Sequence, residues 1–247
     1  MRVTELVHKA FRRVLPRRLP GFRRLRTLVR GKRGLEIGGP SPFFDRRGLL
    51  PLYRVAARVD GCNFAPTTLW EGTIREGMTY RDGAGYQYIH EATELSSIPD
   101  SVYDFVLSCN SLEHIADPLR AIQEWSRVLV PDGILIIVAP RKESNFDHRR
   151  PITTFEHLRE DYLAHRDEGD MSHLEEVLEL HDLSRDPPAG GQVEFAARCR
   201  NNLRIRSLHH HVFDRELLLR IFAFFHIREI YAGECPTDWV VAGRLQM

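Results

Sequence analysis

The sequence is poor in cysteine, and the few cysteines it has lie far apart. Cys62, Cys109, Cys199 and Cys235 form no C-x-x-C pair, which argues against a disulfide framework and against a thiolate zinc site. Such usage is typical of a reducing compartment, so we expect a cytoplasmic protein. No apolar run approaches the length needed to span a bilayer. Arginines interrupt the hydrophobic residues near the N-terminus every few positions, which is unlike a secretory signal.

A third glycine is missing from the one loop that resembles a nucleotide-binding turn. The stretch "GLEIGGPSP" (34–42) reads as a strand that runs into a tight turn, where Gly38 and Gly39 are followed by Pro40 and Pro42. A Rossmann dehydrogenase needs glycines at G-x-G-x-x-G spacing, and that spacing is absent. The two glycines still allow the backbone to approach a ligand closely. We therefore predict a cofactor loop of unusual composition, and not a dehydrogenase loop.

Positive charge is concentrated at the N-terminus. Residues 1–33 hold twelve Lys and Arg against one acid, Glu5, so this segment carries +11 in a chain of net charge +1. Apolar residues recur at helical spacing between Val3 and Val14. Three interpretations stay open: a basic helix on an anionic membrane face, an arm that binds nucleic-acid phosphates, or a solvated helix packed at the domain's edge.

Strands and helices alternate after the basic segment, which predicts a parallel sheet with helices on both faces. Asp117 is a suitable N-cap and Pro118 suits the first position of the following helix. A further helix is predicted over Asp214–Phe225. The predicted strands lie near Gly34–Ile37, Tyr53–Asp60, Tyr86–Ala92, Tyr103–Cys109, residues 134–140, Ile227–Ala232 and Trp239–Arg244.

Residues 141–208 differ from the rest of the chain because they are polar and rich in His and Asp. Two helical patterns lie within them, near Thr154–His165 and Met171–Asp182, and "RDPPAGG" interrupts the segment. We predict an insertion after the fifth strand that covers the site.

The order of motifs resembles class I S-adenosylmethionine-dependent methyltransferases, and most of all the broad type-11 small-molecule group. The similarity is clearest over residues 34–140, in "EIGG", "EATEL", "YDFVLSCNSLEHIADPL" and "RVLVPDGILIIVAP". The resemblance implies an α/β, Rossmann-like fold with a seven-stranded, mostly parallel sheet and an antiparallel last strand. It implies a methyltransferase domain over 34–247. With the composition described above, this domain includes 141–208 as an insertion or lid and follows the basic helical segment 1–33. The resemblance also implies S-adenosyl-L-methionine as the cofactor.

The resemblance implies cofactor-binding roles for residues that match the family's strand ends and first loop. Glu36 would orient the loop and help to hold the ammonium end of the cofactor, and Asp60, ending strand 2, would accept hydrogen bonds from both ribose hydroxyls. Glu91 and Ala92 would read the adenine edge, and Asn110 would border the methyl-transfer position. The full implied set is Glu36, Gly38, Gly39, Asp60, Glu91, Ala92 and Asn110.

Histidines are the candidate bases for methyl transfer to oxygen, because an oxygen nucleophile benefits from proton removal. His114, in "SLEH", is the first candidate, with local packing as the alternative. His148 in "FDHRRP" and His211 in "HHHVFD" are the others, and His209 shares strand-like spacing with His211. The histidine spacings match no tight ligand motif, so we predict polar lid contacts and assign no metal ligands, with a divalent metal site formed with the nearby aspartates as the alternative.

The acceptor is predicted to be polar and anionic. Arg149 and Arg150 are suited to bidentate binding of a phosphate or carboxylate, as in a nucleotide sugar, a glycan end or a lipid-linked saccharide. The stretches "EIGGPS", "VDGCNF", "FDHRRP" and "HHHVFD" are similar to bacterial methyltransferases associated with surface-polysaccharide assembly. That resemblance implies assembly at the inner face of a membrane, to which residues 1–33 would bind peripherally.

Three functions follow from these observations. The leading hypothesis is O-methylation of a sugar, glycan or other small polar acceptor. The second is an RNA or protein methyltransferase that uses the basic arm, although "SCNSLEH" stands where base N-methylases often carry an "NPPY"-type motif. The third is a methyltransferase-like binding module whose proline-containing loop no longer binds the cofactor.

Overall fold

The computed structural model describes residues 18–68, 72–80 and 85–246. Its strands are β1 (Arg33–Ile37), β2 (Arg58–Asn63), β3 (Thr67–Thr68), β4 (Gly72–Thr73), β5 (Thr79–Tyr80), β6 (Gly85–Ile89), β7 (Tyr103–Cys109), β8 (Leu129–Pro140), β9 (Ile227–Glu234) and β10 (Asp238–Leu245). Its α-helices are α1 (Phe22–Val29), α2 (Pro118–Val128), α3 (Phe155–Ala164), α4 (Leu174–Leu180), α5 (Gln192–Arg200), α6 (Asn202–Ile205) and α7 (Arg215–Phe224).

Eight of the strands form one sheet in the order β5-β6-β2-β1-β7-β8-β10-β9. The strands from β6 to β8 run parallel, whereas β10 is antiparallel to both β8 and β9. The predicted fold, a mostly parallel sheet with an antiparallel last strand, is confirmed. The eighth strand is the two-residue edge strand β5, which pairs antiparallel with β6.

Both faces of the sheet are covered, as the nearly continuous apolar strands require. On one face, Val106 and Ile137 of the sheet pack with Trp125 of α2 and Ile221 of α7. On the other face, the sheet residues pack with α1 and with the connection between β1 and β2. The predicted cap of α2 is present, since Asp117 accepts a hydrogen bond from the amide of Arg120 at 2.9 Å.

The basic N-terminal segment is described only from residue 18. Leu25 and Val29 of α1 are fully buried against the sheet, so this part of the segment packs on the domain, as in the third of the three interpretations left open above. The amphipathic pattern between Val3 and Val14 lies outside the described residues. No helix in the described ranges is long and apolar enough to cross a membrane.

The connection from β1 to β2 contains no α-helix. Residues 38–57 hold one 3₁₀ turn, Pro42–Phe44, which Ser41 caps by accepting from the amide of Phe43. β2 then begins later than predicted, because Arg33 of β1 pairs with Arg58 and Ile37 pairs with Cys62. The second strand therefore ends at Asn63, three residues beyond the predicted end at Asp60.

Candidate active site

A cavity of about 280 Å³ lies where the carboxyl ends of the parallel strands meet, the usual ligand position in such sheets. Residues that follow β1, β2, β6 and β7 contribute to its wall. The lining residues are Ile37, Gly38, Pro40, Ser41, Pro42, Cys62, Asn63, Phe64, His90, Glu91, Ala92, Cys109, Asn110, Ser111, His114, Ile115, Glu168 and Arg206.

The loop after β1 presents backbone to this first cavity. Gly38 has φ +74°, and a Cβ there would lie 2.2 Å from Ser111 Oγ. A Cβ on Gly39 would lie 2.2 Å from the Glu36 carboxyl carbon. Side chains are therefore excluded at both positions. Gly38 lines the cavity and presents main chain to it, whereas Gly39 is not among the lining residues. That arrangement suits the amino-acid part of S-adenosylmethionine.

Glu36 lies beneath this loop and fixes its shape. Its carboxylate is fully buried and accepts hydrogen bonds from the Ser41 amide at 3.0 Å, the Tyr53 hydroxyl at 2.6 Å and the Tyr80 hydroxyl at 2.7 Å. The orienting role implied by the resemblance is consistent with these contacts. Glu36 is not among the lining residues, so direct contact with an ammonium group has no support in the geometry.

Asp60 does not lie at the end of β2, and the ribose role predicted for it rests on a wrong strand boundary. Its buried carboxylate accepts from Arg58 Nε at 2.6 Å, Arg33 Nη2 at 2.9 Å, the Tyr103 hydroxyl at 2.8 Å and the Tyr86 amide at 2.7 Å. Burial opposes the charge, but these donors outweigh it and lower the pKa of Asp60. Asp60 is absent from the lining residues and ties neighbouring strands together.

Asn63 occupies the strand end that the sequence analysis assigned to Asp60. It lines the first cavity, and its Nδ2 donates to the carbonyl of Gly39 at 2.8 Å, which joins the β2 end to the glycine loop. The prediction missed Asn63 because an acidic residue was expected at this place. The paired register of β1 and β2 identifies it.

The far wall of the first cavity combines a strand end with the insertion. Glu91 and Ala92 line the cavity, as does Asn110. From the insertion, Arg206 donates to the Glu91 carboxylate and lies 3.8 Å from the Glu168 carboxylate. Arg206 and Glu168, both from the insertion, are cavity residues that the sequence analysis missed.

A second cavity of about 270 Å³ adjoins the first, and the two share Asn110 and His114. Eight of its ten lining residues have polar or ionisable side chains, which favours a hydroxylated ligand. The lining residues are Asn110, Glu113, His114, Pro140, Ser144, Asn145, Phe146, His209, Thr237 and Asp238.

His114 stands at the junction of the two cavities. Its Nδ1 lies 3.0 Å from the Leu208 carbonyl, and because a carbonyl only accepts, Nδ1 carries the hydrogen and Nε2 has the lone pair. Burial, with the neighbouring His209, lowers the pKa of His114 to about 3. His114 is therefore neutral and a weak proton acceptor.

His209 is a stronger candidate base, and it was not one of the predicted catalytic residues. Its Nδ1 lies 2.5 Å from Asp147 Oδ2, and its ring meets the His114 ring edge-on at 4.5 Å. Burial lowers the pKa of His209, but the charge and hydrogen bond of Asp147 outweigh this and raise it. A carboxylate–imidazole pair of this kind orients the ring and leaves Nε2 for a substrate.

Two of the predicted catalytic histidines lie elsewhere. His148 lines neither cavity, because its Nε2 is held by Asp182 at 2.8 Å. His211 is also absent from both cavities, and its Nε2 donates to the Ala116 carbonyl at 3.1 Å. The predicted catalytic roles of His148 and His211 are not supported by these positions.

Arg150 is not free to bind an anionic acceptor, contrary to prediction. It is 1% exposed and donates to the carbonyls of His209 and His210 at 2.9 and 3.0 Å. It also pairs with Asp147 at 3.2 Å. Arg149, which is half-exposed, lies 3.3 Å from Asp182. Arg150 therefore positions the His209 segment.

Comparison with protein families and curated proteins finds similarity to methyltransferases over part of the chain. Residues 47–137 match the type-11 family described as "Methyltransferase domain". The chain is 29% identical over 115 residues to the ubiquinone biosynthesis O-methyltransferase of Dinoroseobacter shibae, an alignment that covers 42% of this chain and 44% of that protein. It is 27% identical over 111 residues to the corresponding protein of Cereibacter sphaeroides, covering 41% and 44%. The matched region thus spans under half the length of these relatives.

Solved structures show the same fold. An S-adenosylmethionine-dependent methyltransferase from Mesorhizobium loti superposes with a TM-score of 0.53 at 14% identity, covering 91% of this chain and 97% of that one. The trans-methyltransferase CalH, in complex with S-adenosylhomocysteine, superposes with a TM-score of 0.51 at 13% identity, covering 92% and 55%. The fold and the domain match agree with the predicted enzyme class and cofactor. The relatives' names give no support to the predicted association with polysaccharide assembly.

Proposed function

We propose that this protein is an S-adenosylmethionine-dependent O-methyltransferase that acts on a small hydroxylated acceptor. The observation that carries the proposal is the junction of two cavities at Asn110 and His114, beside the Asp147–His209 pair. The methyltransferase-domain match supports the reaction class. The names of the curated relatives support oxygen as the methylated atom.

The first cavity holds the cofactor in this proposal. The Gly38 backbone contacts its amino-acid part, Asn63 and Glu91 its ribose, and Ala92 its adenine, while Asn110 borders the reacting end. When bound, S-adenosylmethionine would supply a sulfonium methyl group: the acceptor oxygen bonds to the methyl carbon as the carbon–sulfur bond breaks, and S-adenosylhomocysteine leaves. The protein's task is then to align the acceptor oxygen and to remove its proton.

The second cavity holds the acceptor. His209 takes the hydroxyl proton at Nε2 as the oxygen–methyl bond forms, and Asp147 stabilises the resulting imidazolium. Glu113 lies close by with its Oε2 buried and without a hydrogen-bond partner, and burial raises the pKa of Glu113 to about 7. An acceptor hydroxyl gives this carboxyl group a partner.

We propose a sugar or glycan hydroxyl as the acceptor, because the polar side chains of the second cavity offer hydrogen-bond partners to it. The acceptor class is tested by following S-adenosylhomocysteine production with a panel of nucleotide sugars and a dihydroxybenzene. Turnover with nucleotide sugars supports the proposal. Turnover with the dihydroxybenzene alone would refute the sugar assignment.

Cofactor binding is tested by calorimetric titration of S-adenosylhomocysteine. We expect wild-type protein to bind it, and Asn63→Ala to weaken binding by about 1–3 kcal/mol, because the variant loses both the ribose contact and the bond to Gly39. Gln87→Ala is the matched control, since Gln87 is a buried amide on neighbouring β6 that lines neither cavity. Equal affinity in Asn63→Ala and wild type would remove Asn63 from the cofactor site, and no binding by folded wild type would refute the function.

A further inference from the structure

Three histidines and one aspartate converge at a point outside both cavities. His157 and Asp161 share a face of α3, His173 lies just before α4, and His211 lies in the segment before α7. One potential ligand atom from each lies within 4.8 Å of the others. None of the four lines either cavity.

The distances within this cluster match those between ligands of one ion. His157 Nε2 lies 3.1 Å from His173 Nε2 and 3.2 Å from Asp161 Oδ2, and His211 Nε2 lies 3.8 Å from Asp161 Oδ2. Tetrahedral zinc with ligands at about 2.0–2.1 Å places neighbouring ligand atoms about 3.3–3.4 Å apart. Two imidazole nitrogens that face each other need a shared proton or a shared cation, because their lone pairs repel.

The burial of Asp161 is a second, independent observation. This carboxylate is 4% exposed, and its Oδ2, which faces His157 at 3.2 Å and His211 at 3.8 Å, accepts no hydrogen bond of regular geometry from either ring. An unsatisfied buried carboxylate oxygen is costly. A cation at the centre of the cluster satisfies it, and ligation by His211 Nε2 exchanges the bond to the Ala116 carbonyl for the ion.

We propose that His157, Asp161, His173 and His211 bind one zinc ion in a closed structural site. Three imidazoles and a carboxylate are ligands that zinc accepts in tetrahedral geometry, and four protein ligands leave no open position for chemistry. This site replaces the sequence-based assignment of no metal ligands. It does not rest on the proposed methyl transfer.

The ion would connect α3, the start of α4 and the segment before α7, and would so hold the insertion in place beside the first cavity. Glu168 lies in sequence between Asp161 and His173, and Arg206 lies between His173 and His211. Both line the cavity. Because zinc ligands precede and follow each of these two residues in sequence, a bound ion would restrict the motion of both. The metal would then order the cavity wall without contacting a bound cofactor.

The test measures the metal content of tag-free protein after equilibration with ZnCl₂ and exhaustive dialysis. We expect about one zinc per chain in the wild type and a stoichiometric loss in His157→Ala and in His173→Ala. His148→Ala is the matched control and keeps its zinc, because His148 bonds to Asp182 outside the cluster. His209→Ala also keeps its zinc. Zinc lost only in His209→Ala would place the metal in the second cavity and overturn the proposal.

A thermal measurement covers variants that fold poorly. Adding ZnCl₂ to chelator-treated wild type should raise the melting temperature, because an ion that binds only the folded state stabilises it. Asp161→Asn keeps the shape of the side chain and should lose this rise. If the wild type retained no zinc and its melting temperature did not rise with ZnCl₂, the proposal would be overturned. The four residues would then form a hydrogen-bonded cluster without a metal.

Discussion

Replacing His209 by alanine is expected to lower turnover about 10²- to 10⁴-fold, the usual contribution of a positioned general base. Affinity for S-adenosylhomocysteine should stay at the wild-type value, because His209 lines the second cavity and not the first. Steady-state kinetics with saturating cofactor measure the first effect, and calorimetry measures the second. Loss of turnover with intact cofactor binding is the signature of a catalytic residue.

Two other histidines serve as comparisons for His209. His114→Ala should reduce turnover less, because the pKa of His114 lies at about 3 through burial and the neighbouring His209, which makes it a poor proton acceptor. His148→Ala should leave turnover unchanged. If His114→Ala were the more damaging of the two cavity variants, the assignment of the base would have to be reversed.

Replacing Asp60 by asparagine is expected to lower the free energy of unfolding by about 1–3 kcal/mol, because donors at a buried site lose their charged acceptor, while Arg33 and Arg58 stay partly solvated. Two arginines, Arg33 and Arg58, and the hydroxyl of Tyr103 all donate to this carboxylate. Denaturant unfolding followed by circular dichroism gives the value. The folded variant should still bind S-adenosylhomocysteine, because Asp60 lines neither cavity.

The pH dependence of stability provides a check on Asp60. Its folded-state pKa is lowered below 3.8, so its contribution is present above about pH 4 and is lost as the pH falls through the folded-state value. Wild-type stability should fall in that acid range more steeply than that of Asp60→Asn. Asp104→Asn is the control, because Asp104 is a third exposed and pairs with Lys32 at 3.4 Å, and an exposed pair contributes at most about 1 kcal/mol. If Asp60→Asn bound the cofactor more weakly without losing stability, the result would support the ribose-binding role that the sequence analysis predicted for Asp60.

Elements that depend on local sequence were predicted well. Tyr103–Cys109 is a strand with the predicted limits, because a short apolar run between turn signals suffices to define it. The start of α2 was also predicted correctly, because it depends on two adjacent residues. The side chain of Asp117 caps the helix, and the ring of Pro118 suits its first position.

Features that depend on distant partners were not predictable. The end of β2 is set by its register against β1, so the residue at the cavity is Asn63 and not Asp60. His209 and His211 share strand-like spacing, yet Asp147 holds one ring and the Ala116 carbonyl holds the other. Arg150 is a polar residue in a polar segment, and its burial follows from main-chain carbonyls about sixty residues away in sequence, a contact that no local pattern encodes.

The contact between Arg206 and Glu91 has a kinetic consequence. It joins two segments far apart in sequence across the wall of the first cavity, so we expect exchange of spent cofactor to be faster when the two separate. Dissolved ions screen a partly solvated pair more than a buried one, and Glu91 is 41% exposed in its side chain. Product release should therefore quicken as ionic strength rises, whereas proton removal at buried His209 should not. The response of turnover to added salt then shows whether product release or methyl transfer is the rate-limiting step.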